Sequence, residues 1–335
     1  MPTAQGGLWG KVYGCLNGGL IGDAMGAPAE GKHFREIQAK FGEITDFEGV
    51  GTDDTAIKHI LIEAILGEAE QGGHVTADEF ARSFLGYGRQ HYGKFWIPVR
   101  NMFHKIESGR ALPVYAGMGN MQSSSSAMAI APMGIVNACD PRRAAAETFD
   151  VAGLIHAGEA GFCRDAACAV AAGVAEAFRP QATVASCVDA AARYLHPTSA
   201  HEFTEAFSAV TGLADTAGDY ASFREHFYER HLQDVIADSR ETVPVAFALV
   251  RLSGGDFATG VKMATNFGRD ADTIACMVGG ILGALGGSAG IPVAWLKRVE
   301  GTKGVDYTTV ATQLVDIVGR RRAEARLYLA ELDGL

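Results

Sequence analysis

Four carboxylates stand in two short clusters far apart in the chain, Thr52-Asp53-Asp54-Thr55 and Asp270-Ala271-Asp272-Thr273. Carboxylates and hydroxyls are hard oxygen donors. That set suits Mg²⁺, Ca²⁺ or Mn²⁺, whereas zinc prefers nitrogen and sulfur. A fold that joined the two clusters would build a metal centre. Neither spacing, adjacent residues in one and i, i+2 in the other, puts both side chains on one face of a regular helix. Each cluster must therefore lie in the turn that opens a helix. Gly51 and Gly268 stand just before them, and apolar periodicity begins just after. Helix capping is the competing reading, because Thr and Asp are favoured N-caps and acids suit the positive end of the helix dipole. Capping accounts for either cluster alone. Two clusters of one form ahead of two apolar helices favour a shared site, since acids buried together need cations to compensate them.

A third segment runs Gly18-Gly19-Leu20-Ile21-Gly22-Asp23-Ala24-Met25-Gly26-Ala27-Pro28-Ala29-Glu30. It places two acids beyond an apolar helix, Asp23 as a candidate buried structural acid and Glu30 on a loop past Gly26 and Pro28. No Gly-Lys-Ser/Thr follows, so the segment is not a phosphate-binding P-loop.

The elements that must position these acids read as helices. Leu8, Val12, Cys15, Leu16 and Ile21 form one apolar series, and Ala56, Ile57, Ile60, Leu61, Ala64 and Ile65 fit the i, i+3, i+4 rule. Residues 166–178, 185–194, 243–252, 256–265 and 309–332 continue the pattern. Sustained alternation is missing, so the expected class is all-α with any strand very short. Residues 273–296 carry no charge, which meets the length rule for a membrane span. Asp270 and Asp272 abut the start, however, and Gly286-Gly287, Gly290 and Pro292 interrupt the second half. A buried core helix of about three turns followed by a loop is expected, and no membrane insertion.

Residues 111–139 differ in lacking charge and in being rich in Gly, Met and Ser. A polar run ending in Ser123-Ser124-Ser125-Ser126 leads directly into apolar Ala127 to Met133. It reads either as a loop lining a binding site or as an ordinary surface loop.

The 335 residues are 48% hydrophobic and 20% charged, enough for a large core and too few charges for a disordered chain. No linker divides them, and a single domain over residues 1–335 is expected. The net charge of −10 and the lack of any basic run beyond Arg320-Arg321-Arg322, read as a solvated helix face, exclude nucleic acid as a partner. The six cysteines (15, 139, 163, 168, 187 and 276) include no CxxC pair and lie mostly among small apolar residues. Buried free thiols and a reducing, cytoplasmic setting are expected, with no secretory leader.

Taken together, Gly22-Asp23-Ala24-Met25-Gly26 with Glu30, Thr52-Asp53-Asp54-Thr55 and Asp270-Ala271-Asp272-Thr273 resemble the ADP-ribosylglycohydrolase family in content and order. Ile291-Pro292 with Trp295 is similar to the family's Ile-Pro-x-x-Trp segment, and the resemblance spans about residues 8–300. It implies a compact orthogonal α-helical bundle with two Mg²⁺ ions, Mn²⁺ in some members. By matched position, Thr52, Asp53, Asp54, Asp270, Asp272 and Thr273 would be metal ligands. Glu30 would be the catalytic glutamate, acting with Asp54 and Asp272. The implied reaction is hydrolysis at ribose C1 of an ADP-ribosylated protein or ADP-ribosyl compound. Asn120, Ser123, Ser124, Ser125, Ser126, His156 and Trp295 are the substrate-side candidates, with Asp150 and Asp165 as pocket acids or plain caps.

The chain departs from the family twice. A longer loop, residues 119–129, ends on Ala129 where an Arg is usual, and Arg269 replaces a Gly before the second cluster. Arg269 would supply a cation or pair with a ligand Asp. The altered loop leaves a nucleoside or other small N-riboside as an alternative substrate, and a non-catalytic metal-stabilised protein as a second alternative.

Overall fold

Gly14, Gly18, Gly22 and Gly26 recur every fourth residue, which lines them up on one side of a helix. That side meets Gly283, Gly279, Ala275 and Asp272 in descending order, so the two helices run antiparallel with their backbones touching. A Cβ on Gly18 would fall 2.1 Å from the Gly279 carbonyl oxygen, and one on Gly26 would fall 2.4 Å from Asp272 Cα. The glycine row thereby fixes the end of one helix against the start of the other, where the second acidic cluster lies.

A computed structural model describes residues 7–301 and 306–335. Among them α1 (Leu8–Gly26), α2 (Phe34–Phe41), α3 (Asp53–Gly67), α4 (Ala77–Tyr87), α5 (Ile97–Glu107) and α6 (Pro113–Ala116) come first. Then follow α7 (Ala131–Val136), α8 (Pro141–Gly153), α9 (Phe162–Ala177), α10 (Val184–Arg193), α11 (His201–Thr216) and α12 (Tyr220–Arg230). The series closes with α13 (Ser239–Leu252), α14 (Phe257–Thr265), α15 (Ala271–Gly286), α16 (Val293–Glu300) and α17 (Tyr307–Asp333). No strand forms among the described residues, and the only bridge joins Met118 to Ala157. The all-α expectation holds.

The core gathers around α1, α9, α13 and α15. Residues 243 and 245–250 of α13 are fully buried, and the Phe247 ring presses on Gly173 of α9, where a Cβ would come within 2.7 Å. The small residues of α9 allow this approach, and Leu, Ile and Phe from neighbouring helices fill the remaining space. Such close-packed interiors resist both added and removed methylenes.

Three expectations need correction. α15 is 16 residues long rather than about three turns: Gly279 and Gly283 lie inside it against Gly18 and Gly14 of α1, and it ends only at the expected Gly286-Gly287 break. Asp23 is not beyond α1 but in its last turn. Arg321 is not on a solvated face: it is buried and donates to the Gly72 and Gly73 carbonyls, Asn137 Oδ1 and Glu147 Oε2 at 2.5–3.0 Å. The turn at Gly72-Gly73, with both residues at positive φ, points its carbonyls at α17, and a guanidinium is the group with enough donors to satisfy them. Among the described residues, no helix is long and apolar enough to cross a membrane.

Candidate functional site

Asp23 is the hinge of the site. It is fully buried at the end of α1 and accepts hydrogen bonds from Thr52 N (2.9 Å), Thr55 N (3.0 Å) and Thr55 Oγ1 (2.5 Å). Those bonds dock the start of α3 onto the end of α1. Gly51 makes room for them: it has φ +82°, and a Cβ there would stand 2.3 Å from Asp23 Oδ2. Buried Lys58, one turn along α3 from Asp54, adds a positive charge that favours the Asp23 carboxylate.

The first acidic cluster opens α3. Thr52 is its N-cap, with Asp53 and Asp54 in the first turn. The second opens α15. Asp270 is the N-cap residue, but its carboxylate makes no capping bond and instead accepts from Ser124 Oγ at 2.9 Å. Both clusters thus lie in helix-opening turns, as the spacing requires. Thr52 Oγ1 and Thr273 Oγ1 both reach Asp54 Oδ2, at 3.2 and 3.3 Å, which links the two clusters directly.

Two groups of carboxylates converge closely enough to hold a cation: Asp23, Asp54 and Asp272, and Glu30, Asp270 and Asp272, with oxygens within 4.8 Å of one another in each. Asp272 belongs to both. Asp54 Oδ1 and Asp272 Oδ1 are buried without a hydrogen-bond partner. An orphaned buried carboxylate oxygen is costly, and a divalent cation is the partner these oxygens fit. Protonation is the alternative way to relieve the same strain. Burial first, and then the neighbouring acids, push Asp53 up to about 6 and Asp54 and Asp272 well above the usual carboxylate range. Asp270 rises to about 7, chiefly by burial and against the Ser124 bond. Glu30, at the mouth, is raised by burial and by the charge of Asp23.

Glu30, Asp53, Asp54, Asp270 and Asp272 line a cavity of about 350 Å³, with Asp23 behind them. Its other walls are Lys94 and Trp96 just before α5, Ser124, Ser125 and Met128 before α7, and Ile236 and Ala237 before α13. The serine run is buried rather than a surface loop. Ser124 N donates to the Ala237 carbonyl and Ser239 Oγ to the Ser123 carbonyl, so the loop is sewn to the start of α13.

The substrate-side candidates divide. Ser124 and Ser125 face the cavity. Ser123 and Ser126 turn away and hold His156, which is fully buried behind the loop. Burial lowers His156 to about 3, so the ring is neutral. Asn120 is buried and donates to the Pro98 and Ile155 carbonyls, joining α5 to the end of α8 and not lining the cavity. Trp295 is a core aromatic against Phe47 and Phe257, and the indole at the site is Trp96 instead. Asp150 caps α4 through Ala77 N, and Asp165 accepts from His196 N. Arg269 pairs with neither Asp270 nor Asp272; it forms a two-pronged bond to Glu241.

Lys94, Trp96, Met128, Ile236, Ala237 and Glu241 are absent from the sequence-derived site. Lys94-Phe95-Trp96 ahead of a proline-containing helix start was a usable signal; Ile236 and Ala237 carry none.

A family model described as ADP-ribosylglycohydrolase matches residues 6–326. The chain is 28% identical over 324 residues to an uncharacterized protein of Archaeoglobus fulgidus, covering 92% of this chain and 96% of that one. It is 26% identical over 338 residues to the uncharacterized protein YegU of Escherichia coli K12, covering 93% and 98%. A solved structure titled "ADP-ribosylglycohydrolase-related protein complex" superposes with a TM-score of 0.68 at 20% identity, over 93% of this chain and 98% of that one.

Proposed function

Because the chain belongs to the ADP-ribosylglycohydrolase family, we propose that it hydrolyses the glycosidic bond at ribose C1 of an ADP-ribosylated protein or ADP-ribosyl compound, using two bound Mg²⁺ or Mn²⁺ ions. The observation that carries this reading is the pair of orphaned buried oxygens, Asp54 Oδ1 and Asp272 Oδ1, inside a ring of carboxylates open to a cavity. Thr52, Asp53, Asp54, Asp270, Asp272 and Thr273 would hold the ions. When bound, the ions supply positive charge that polarises the ribose hydroxyls and acidifies nearby water.

The protein's own groups do the rest. Departure of the leaving group from C1 gives an oxocarbenium-like transition state, which the ring of carboxylates favours by charge. Glu30, at the mouth, is placed to orient a water, take its proton and pass a proton to the leaving group. Its raised affinity for a proton suits that exchange. Trp96 offers a flat face for a base or ring, and Met128 and Ile236 offer an apolar wall.

A second reading, a nucleoside or small N-riboside as substrate, is favoured by one feature. Lys94 is the only cation among the residues lining the cavity, and its Nζ already donates to the Gly51 carbonyl. The test is incubation with Mg²⁺ and ADP-ribosyl-arginine, ADP-ribosyl-serine or a nucleoside panel, followed by detection of the freed ribosyl product. Glu30→Gln should abolish turnover while Mg²⁺ still binds through Asp23, Asp54 and Asp272, with weaker binding only at the group that Glu30 shares with Asp270 and Asp272. No ribosyl release from any substrate, or full activity in Glu30→Gln, would refute the assignment.

A further inference from the structure

Glu30 reaches the second acidic cluster on a side chain that nothing else holds. Its carboxylate gathers with those of Asp270 and Asp272, with oxygens within 4.8 Å of one another. Among the described residues it accepts no hydrogen bond and joins no ion pair. Lys32, whose charge favours the ionised form of Glu30, donates to the Glu30 carbonyl and not to the carboxylate. A carboxylate with no bond of its own stands where its backbone puts it. The chain just past Glu30 therefore decides the geometry.

That chain is fastened at two points to one residue. Gly31 N donates to the Arg269 carbonyl, and Arg269 N donates to the Lys32 carbonyl, both at 2.8 Å. Two bonds fix distance and direction together, where one alone would act as a pivot. Asp270 follows Arg269 directly, so the Glu30 loop and the Asp270 turn are held as one body. Gly268 permits the approach: it has φ +84°, and a Cβ there would stand 2.4 Å from the Lys32 carbonyl oxygen.

Arg269 itself occupies a backbone state that costs an L-residue free energy. Its φ is +61°, and among the described residues Cys139 is the only other non-glycine residue at positive φ. Such a state persists when surrounding contacts over-determine it. Here the contacts come from the far end of the side chain. The guanidinium makes its two-pronged bond to Glu241 and a third to the Gln233 carbonyl at 2.6 Å. A glycine at 269 would accept the same backbone but leave it free to change.

We propose that Arg269 is the positioning residue for Glu30. Its backbone carries the Glu30 loop, and its side chain, anchored on Glu241, keeps that backbone in the conformation that sets the Glu30 carboxylate against Asp270 and Asp272.

Arg269→Ala removes the anchor and has none of glycine's ease at positive φ. Hydrogen–deuterium exchange on the full chain should show the Gly31 amide exchanging about fivefold faster than in wild type, or more, as expected for the loss of one hydrogen bond. The comparison is made at times too short for the amides of α9 to exchange. Arg269→Gly should fall between the two, because it keeps the turn without the anchor. Mn²⁺ titration gives an independent reading. Arg269→Ala should weaken binding at the Glu30–Asp270–Asp272 group by about 10–100-fold. In a Glu30→Gln background the same change should cost nothing further, because the group it positions is already gone. A third reading alone rests on the hydrolysis proposed above: kcat should fall about a hundredfold with KM unchanged. Failure to cleave any ribosyl substrate would refute that hydrolysis, while amide exchange and Mn²⁺ binding still decide the positioning role. A Gly31 amide as protected in Arg269→Ala as in wild type, a Mn²⁺ loss of equal size in the Glu30→Gln background, or a raised KM with kcat unchanged would each overturn the proposal.

Discussion

Arg269 and Glu241 form a two-pronged ion pair, Nε to Oε1 at 2.7 Å and Nη2 to Oε2 at 2.9 Å, immediately beside the Asp270 N-cap. Glu241 is fully buried, and Arg269 holds a positive φ of 61°. The same guanidinium donates to the Gln233 carbonyl, and Gln233 N donates back to Glu241. The pair therefore ties the start of α15, which carries the second acidic cluster, to the segment that supplies Ile236 and Ala237 to the cavity wall.

Removing one partner of a buried pair strands the other. Glu241→Gln and Arg269→Gly should each lower stability by about 3–5 kcal/mol, and the double variant should lose less than the sum. The Gly at 269 also relieves the left-handed backbone. Urea denaturation of the three variants measures this, and strict additivity would show the pair to be energetically idle.

Metal addition should raise the melting temperature, with about 2.7 kcal/mol gained when Mg²⁺ is a hundredfold above its dissociation constant. The metal-free protein should behave oppositely with pH. Folded-state values raised to about 6 for Asp53 and about 7 for Asp270 mean the native state holds protons that the unfolded chain has released. Stability present in acid is then lost as pH rises through those values. Asp272→Asn should remove a buried acid that folds only by taking up a proton, making the metal-free protein more stable at neutral pH and its response to Mg²⁺ weaker. Thermal melts with chelator and with Mg²⁺ at two pH values give all of these readings.

The antiparallel contact of α1 and α15 should tolerate no added methyl. Gly18→Ala, with its Cβ 2.1 Å from a carbonyl oxygen, should cost several kcal/mol by forcing the helices apart, at or above the usual ~1–3 kcal/mol for overpacking. Gly212→Ala, within α11 and with nothing in 4 Å of its Cβ, should instead stabilise by about 0.5–1 kcal/mol. Equal effects at the two sites would mean that the helix contact is looser than described.

His156 supplies an acid-side signal. Its native value near 3 lies below that of the unfolded chain, near 6.5. Below about pH 6.5 the unfolded chain therefore binds the extra proton, and stability falls as pH falls, by up to about 1.4 kcal/mol per unit from this group. The destabilisation caused by His156→Gln should consequently be smaller at about pH 5 than at about pH 7.5, by on the order of 1–2 kcal/mol. An NMR titration showing the ring protonated at neutral pH would contradict the buried neutral assignment.

What could be read from the chain was what local geometry dictates. Two acidic clusters with non-helical spacing, each behind a glycine and ahead of an apolar period, had to open helices, and α3 and α15 begin there. The ordered motifs carried the family and the all-α class. The cavity wall was less legible. Ser123 and Ser126 carry the same side chain as Ser124 and Ser125, yet face His156 and not the cavity.

By itself, the sequence determined the donor set, its division into two helix-opening turns and the family to which they belong, because capping and periodicity act over a few residues. The tertiary structure alone decided that these turns meet. The glycine row of α1 lets α15 approach to backbone contact, and Asp23 collects the amides of Thr52 and Thr55. It also decided that Trp96 reaches the cavity while Trp295 fills the core, and that Arg269 serves Glu241 and no acid of the two clusters. Those outcomes depend on contacts between residues distant in the chain, where packing selects one partner among many of the same chemical type.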